Sequence, residues 1–369
     1  MKKNKKSKLE TIIPLLLTMF ISGILGSGIG YYSMSLELSR VQLILSFAFL
    51  AVAFVLHIII HEAGHLVFGL LTGHTFLSYR VFSFCVIKQE GKFKIVRSKV
   101  PGTMGQCLLT PPEMNDGHFP YQLYLLGGVI ANLLFSALSF IFYLFNPIMV
   151  LEFVLVGVLF FLLNGLPNGF NDGSTLKIAR SSLNKERLLY IQLASNAKMS
   201  TGSKFSELPE EYFLPVSEEE THTYFEDYQA FLTLGLLLEK QNWVDVDDYI
   251  EDLWLKREEL IVPYQIELKK EMLYFLLIHK KKEPQKTDAR IEELMTDRGL
   301  AKYLQTKMVS NLRVVAGIQF AYEKKEDKAL KTIQEALQMK AKTGNLGEFY
   351  VEEILLKSLE EKINRKREK

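Results

Sequence analysis

The pentapeptide His61-Glu62-Ala63-Gly64-His65 brings two imidazoles and a carboxylate into little more than one helical turn. Residues four apart share a helix face, so His61 and His65 can grip one metal ion. Glu62 lies beside the first ligand, where a carboxylate can serve as general base toward water at that ion. Metal-assisted hydrolysis is the chemistry this spacing suits. The pentapeptide closes a long apolar run, Val41 to Leu71. Ionisable side chains in such a segment are expensive, and by default they are there for function.

A catalytic zinc usually keeps three protein ligands and one open position, so two histidines leave it one short. Asp172 is the expected third ligand. It follows a later apolar run, at the depth expected for the end of the histidine-bearing helix. Gly173 after it would permit a turn that aims the carboxylate inward. His57, one turn before His61, reads as a polar partner of the site rather than an extra ligand. His74 and His118 fall in polar, irregular chain and read as surface residues. Glu152 sits inside an apolar run, where a long side chain can snorkel to the outer interface. Cys107 reads as packing, because no matched His–Asp set accompanies it.

The elements that must position these groups follow from composition. Residues 10–166 are dominated by long apolar runs, whereas 180–369 are rich in Lys, Glu, Asp and Gln. The expected fold is mainly α: a polytopic membrane bundle of about four spans with a membrane-associated β-hairpin, then an α-helical cytosolic domain. Its divisions are 1–180, a connection at 181–220, and 221–369. The spans are about Ile12–Tyr31, Val41 through the HEAGH motif, Tyr121–Phe145 and Ile148–Leu166. The first is as long as a membrane helix, which favours a span over a cleaved signal peptide. Its Gly26 and Gly30 suit close helix packing in lipid.

Between the second and third spans, Phe76–Lys88 and Lys92–Lys99 alternate and predict a β-hairpin broken at Glu90-Gly91-Lys92. Pro101-Gly102, Gly105 and Pro111-Pro112 predict irregular chain. In the tail, Arg187–Ala197 predicts a short helix. Tyr224–Lys240 with Trp243–Lys256, and Asn311–Tyr322 with Lys325–Ala341, predict helical hairpins. They faintly resemble tetratricopeptide-type pairs, with a plain helical bundle as the alternative. Lysines crowd Met1–Lys8, and six Lys or Arg occupy residues 72–120. The charge bias therefore places both termini, the 72–120 segment and the HEAGH motif on the cytoplasmic side.

Other classes are excluded. Basic residues are interspersed with acidic ones and the net charge is +2, so there is no nucleic-acid footprint. Two cysteines without paired spacing give neither a disulfide framework nor a Cys-based zinc site.

HEAGH within a span, Gly128-x-x-x-Asn132 in the third span, and Asn164-x-x-Pro167-x-x-x-x-Asp172-Gly173 after the fourth together resemble the site-2 protease family of intramembrane zinc metalloproteases. The resemblance covers roughly residues 41–175. It implies one zinc ion held by His61, His65 and Asp172, with Glu62 as catalytic base. It implies that Asn132 and Asn164 position substrate or stabilise the oxyanion; read from the residues alone, interhelical hydrogen-bond glue is the lesser alternative. It also implies cleavage of a membrane-inserted segment near the cytoplasmic face. The substrate would be a single-span regulator, a signal-peptide remnant or a small peptide precursor. No PDZ-like insertion or CBS-like pair is visible, so the helical tail is expected to bind a partner or select substrate. An unwound substrate strand could add to the open edge of the Phe76–Lys99 hairpin. The competing class is a non-proteolytic membrane zinc protein, an accessory or adaptor for peptide immunity or export.

Overall fold

The computed structural model describes residues 8–89, 92–97, 103–215, 221–279, 284–340 and 343–368. Of the expected features, the Lys-rich start as far as Ser7, Glu90 and Gly91 of the hairpin break, Pro101-Gly102 and Ala341 of the expected Lys325–Ala341 helix lie outside them. The chain divides into two compact units, Met1–Ala194 and Ser195–Lys369. The division falls inside one continuous helix, Leu183–Ser200, rather than at the expected 180/181 and 220/221 boundaries.

The first unit contains four helices long and apolar enough to cross a membrane. They are α1 (Lys8–Ser35), α2 (Arg40–Leu71), α3 (Tyr121–Ser139, extended by a 3-10 turn to Phe142) and α4 (Pro147–Gly165). Their outer faces carry exposed Phe20, Met34, Ile44, Phe47, Leu134 and Phe142. So much uncovered apolar surface is what a lipid-facing helix presents. α2 starts at a capping box, in which Ser39 and Gln42 satisfy each other's backbone N–H groups. At 1.5 Å per residue it is about 48 Å long, so it outruns a hydrocarbon core of about 30 Å.

α2 packs against α3 and α4, and α1 against α4. The α2–α3 crossing is close because two glycines meet. A Cβ on Gly64 would lie 2.6 Å from the Ala131 Cβ and collide with the Gly127 carbonyl. Only helices without side chains at that point approach so nearly.

The segment between α2 and α3 is a four-stranded antiparallel sheet, not a hairpin. Its strands are β1 (Thr75–Val81), β2 (Phe84–Gln89), β3 (Lys92–Arg97) and β4 (Gly105–Thr110), in the order β3-β2-β1-β4. The run expected as one strand turns at Phe82, which takes a positive φ of 53°. Alternation continues through such a tight turn, so periodicity alone does not show it. Gly105, expected in irregular chain, opens β4. Its partner strand β1 lies far back in sequence, and no local pattern announces that pairing.

After α4, a turn at Gly169 with φ +66° leads into α5 (Asp172–Ala179) and α6 (Leu183–Ser200). Glu186 on α6 accepts from the Phe119 backbone N–H at 3.0 Å and pairs with His118 Nδ1 at 3.1 Å. It thereby ties α6 to the start of α3.

The second unit is helical: α7 (Tyr224–Lys240), α8 (Trp243–Leu255), α9 (Val262–Ile278), α10 (Pro284–Thr296), α11 (Arg298–Leu304), α12 (Val309–Gly317), α13 (Glu326–Leu337) and α14 (Leu346–Arg367). α12 runs on into a π-helical turn, Ile318–Tyr322. The expected helices of both hairpins are present, and α9, α10, α11 and α14 add to them. α9 has no apolar stripe because Leu268, Met272, Leu273, Tyr274, Phe275 and Leu276 are all buried.

Candidate metal centre

His61 and His65 point from one face of α2 toward the first residue of α5, Asp172. The two Nε2 atoms are 3.2 Å apart. Asp172 Oδ2 lies 3.1 Å from that of His61 and 3.3 Å from that of His65. Around a zinc ion with bonds of about 2.0–2.1 Å, tetrahedral ligand atoms stand about 3.3 Å apart. The triangle therefore has the dimensions of one face of such a site. Asp172 Oδ2 is also buried with no hydrogen-bond partner, a condition that a cation relieves. The residues fit a bound metal ion, although a His2Asp set does not by itself select zinc.

Burial pushes the Asp172 carboxyl up, but the neighbouring His65 and His61 outweigh it and hold it well below the usual carboxylate range. It is thus ionised, as a ligand must be. The carboxylate is aimed by its surroundings. Asn171 caps α5 by accepting from the Ser174 N–H, and its Nδ2 donates to the Leu163 and Leu166 carbonyls at 2.6 Å each. Gly173 does not supply the turn expected of it, since it lies within α5 without a positive φ. What it supplies is room: a Cβ there would meet the Gly165 carbonyl, and the Asn164 carbonyl at 3.2 Å.

The imidazoles are oriented from behind. His65 Nδ1–H donates to the Tyr124 carbonyl at 2.7 Å, which leaves its Nε2 lone pair for a metal. His61 Nδ1 meets the Asn132 amide at 3.1 Å. The other end of that amide meets His57 Nδ1 at 3.0 Å. Gly128 makes the space: a Cβ there would stand 2.6 Å from the His61 ring and 2.7 Å from His65 Nε2. The two conspicuous positions of Gly128-x-x-x-Asn132 thus both face the histidines.

Glu62 is 8% exposed and lies against the start of β4, where a Cβ on Gly105 would be 2.7 Å from its Cγ. Arg80 on β1 is buried nearby. Its guanidinium donates to the carbonyls of Phe82, Thr103 and Gly105 at 2.9–3.3 Å, fixing the chain that enters β4. Tyr79 donates from its hydroxyl to the Ile59 carbonyl at 2.7 Å and pins the sheet to α2.

The structure therefore brings His61, His65 and Asp172 together, with Glu62 on the same turn as His61. Asn132 is wholly buried, with its amide enclosed between two imidazoles. Asn164 is half-buried, and its Nδ2 donates to the Phe160 carbonyl one turn back. His74, expected at the surface, is instead 2% exposed, 4.9 Å from the Tyr124 ring centre, and burial pushes it down to about 4. Glu152, expected to snorkel, is buried and hydrogen-bonded by the Ser46 hydroxyl of α2. Arg80, Tyr124 and Asn171 gave no signal in the sequence beyond a lone cation among alternating residues in the case of Arg80.

Compared with protein-family models, curated proteins and solved structures, the chain matches none. The resemblance to site-2 proteases therefore rests on its motifs and on the placement of the residues that carry them.

Proposed function

We propose that this chain is an intramembrane zinc endopeptidase of the site-2 protease type. It would hydrolyse a peptide bond in a membrane-inserted segment, either a single-span regulator or a small peptide precursor. One observation carries the reading. Asp172 completes a metal-sized triangle with His61 and His65, which share with a buried glutamate a helix of membrane-spanning length. A non-catalytic metal site has no use for that glutamate.

His61, His65 and Asp172 would hold the ion, which when bound supplies a Lewis acid that polarises the scissile carbonyl and brings the pKa of water to about 7. Glu62 takes the proton of the attacking water and returns it to the departing amide nitrogen, so that an amine leaves. The enclosed amide of Asn132 has no face toward a peptide, which leaves Asn164 as the side chain for positioning substrate. A helical substrate hides its amide and must unwind first. The strand that could hold it is β4, an edge strand outside the expected Phe76–Lys99 hairpin that starts against Glu62. The charge bias along the chain supports a cytoplasmic orientation of the site and both termini, with the helical tail as the partner-binding or substrate-selecting part.

The test compares membrane peptides from cells carrying the intact protein with those from cells carrying Glu62→Gln. A precursor that accumulates only with the variant identifies the substrate. Identical peptide profiles would overturn the protease reading.

A further inference from the structure

Behind His61 runs a chain of hydrogen bonds through three helices, and it admits a single arrangement of hydrogens compatible with a bound metal. It starts at the Phe153 carbonyl of α4, 2.9 Å from His57 Nε2. A carbonyl only accepts, so His57 carries a hydrogen on Nε2. His57 is wholly buried in a membrane-length helix, where an imidazolium is costly. It is therefore neutral, and its Nδ1 is an acceptor. The Asn132 amide at that nitrogen must then present Nδ2–H to it. Its Oδ1 in turn faces His61 Nδ1 and requires a hydrogen there. His61 is left with a lone pair on Nε2, which points at His65 Nε2 and Asp172 Oδ2.

An amide has nearly the same outline either way round, so the network decides its orientation. With Oδ1 towards His57 and Nδ2 towards His61, the orientation in the structure, the consequences reverse. His57 would need hydrogens on both nitrogens. His61 would carry its hydrogen on Nε2, where it reaches Asp172 instead of a metal.

Space for this chain is built in on α4. A Cβ on Gly157 would lie 2.7 Å from His57 Cε1 and would collide with Ser136 Oγ. Ser136 Oγ–H donates to the Asn132 carbonyl at 2.7 Å and helps to hold that residue in place.

We propose that His57 and Asn132 are positioning residues that fix the Nδ1–H tautomer of His61 and so make Nε2 its metal-binding atom. This rests on reading His61, His65 and Asp172 as metal ligands, but not on proteolysis. A neutral amide donates to one imidazole while accepting from the next, which is the chemistry that asparagine brings to position 132.

The experiment uses the full chain in detergent micelles and zinc as the probe. It reads the Kd by chelator competition and the rise in unfolding temperature that zinc produces. Asn132→Leu keeps the volume and removes the acceptor; zinc binding should weaken about 10- to 100-fold. His57→Leu should weaken it about tenfold, by freeing the amide to turn. Asn132→Asp restores an acceptor for His61 Nδ1–H and should return the Kd to within a few-fold of the native chain. A merely structural role would lower the unfolding temperature with and without zinc alike, and leave the increment unchanged. If Asn132→Leu does not fold, His57→Leu and Asn132→Asp decide. Leucine variants that bind zinc as tightly as the native chain overturn the proposal alone. A native chain that binds no zinc overturns the metal-ligand reading itself, and this proposal with it.

Discussion

Both units bury ionisable groups, and they do so in opposite ways. In the tail, Arg313 is wholly buried. Its guanidinium grips Glu271 at 2.7 and 2.8 Å and Glu352 at 2.6 Å, and lies 4.2 Å from the Tyr274 ring centre. Lys270 adds a second cation beside Glu271. Burial alone would neutralise these groups, but Glu271 and Glu352 outweigh it and raise the Arg313 pKa further. In the first unit, two imidazole nitrogens and a carboxylate oxygen converge to within 3.1–3.3 Å of one another. The nearby cation Arg80 spends its donors on backbone carbonyls. The first cluster pairs a cation with anions; the second brings three ligand atoms to one point. Buried charge that is matched by its partners reads as structure, whereas converging buried acceptors mark a candidate site.

The sharpest way to break this contrast is Glu62→Gln. Cleavage should fall about 100- to 10,000-fold while zinc content stays unchanged, measured on a reconstituted membrane substrate. Equal losses of zinc and activity would make Glu62 part of the scaffold rather than the base.

Arg313→Leu probes the other side. It removes the guanidinium from the buried Glu271 and the partly buried Glu352, leaving Lys270 as the cation beside Glu271, and should destabilise the tail by about 3 kcal/mol. Both tryptophans, Trp243 and Trp254, lie in the tail, so their fluorescence during urea unfolding reports that unit. Replacing Arg313, Glu271 and Glu352 together by apolar residues should recover most of the loss, because a closed ionic cluster serves packing. No such rescue is expected at the metal triangle.

A smaller effect is expected from Gly128→Ala. Its new methyl group would press on both imidazoles, and zinc affinity should drop about tenfold in chelator competition. An unchanged affinity would mean that α3 gives way easily at that point.

The smallest effect concerns pH. His279 stacks on Trp243, with ring centres 3.4 Å apart; burial, then Lys362 and Arg313, push it down to about 3. Its unfolded value is near 6.5, so the folded chain binds fewer protons between the two values. Stability is therefore full above pH 6.5 and is lost as pH falls toward 3. We expect about 1 kcal/mol lost between pH 7 and 5.5, read from Trp fluorescence in urea. His279→Phe should flatten that slope.

Legibility in the sequence followed the range of each interaction. The four long helices and the expected tail helices could be read because apolar runs and 3.6-residue periodicity are local properties. The sheet was half legible. Alternation marked β1 to β3, but the turn at Phe82 was hidden, and β4 depends on pairing with a strand some thirty residues earlier. His74 was misplaced because polar neighbours in sequence do not show that Tyr124 and Phe119 cover it from α3 and the chain leading into it.

The sequence by itself determined that two imidazoles and a carboxylate share a turn of an apolar helix, because i and i+4 always meet on one face. Only the tertiary structure decided that Asp172, roughly a hundred residues further on, comes within 3.3 Å of both imidazoles. Only it decided that Gly128 clears the space and that His57 and Asn132 stand behind His61. Those placements depend on how α2, α3, α4 and α5 cross. Helix crossings are set by the shapes that meet at the contact, not by the periodicity of any one segment.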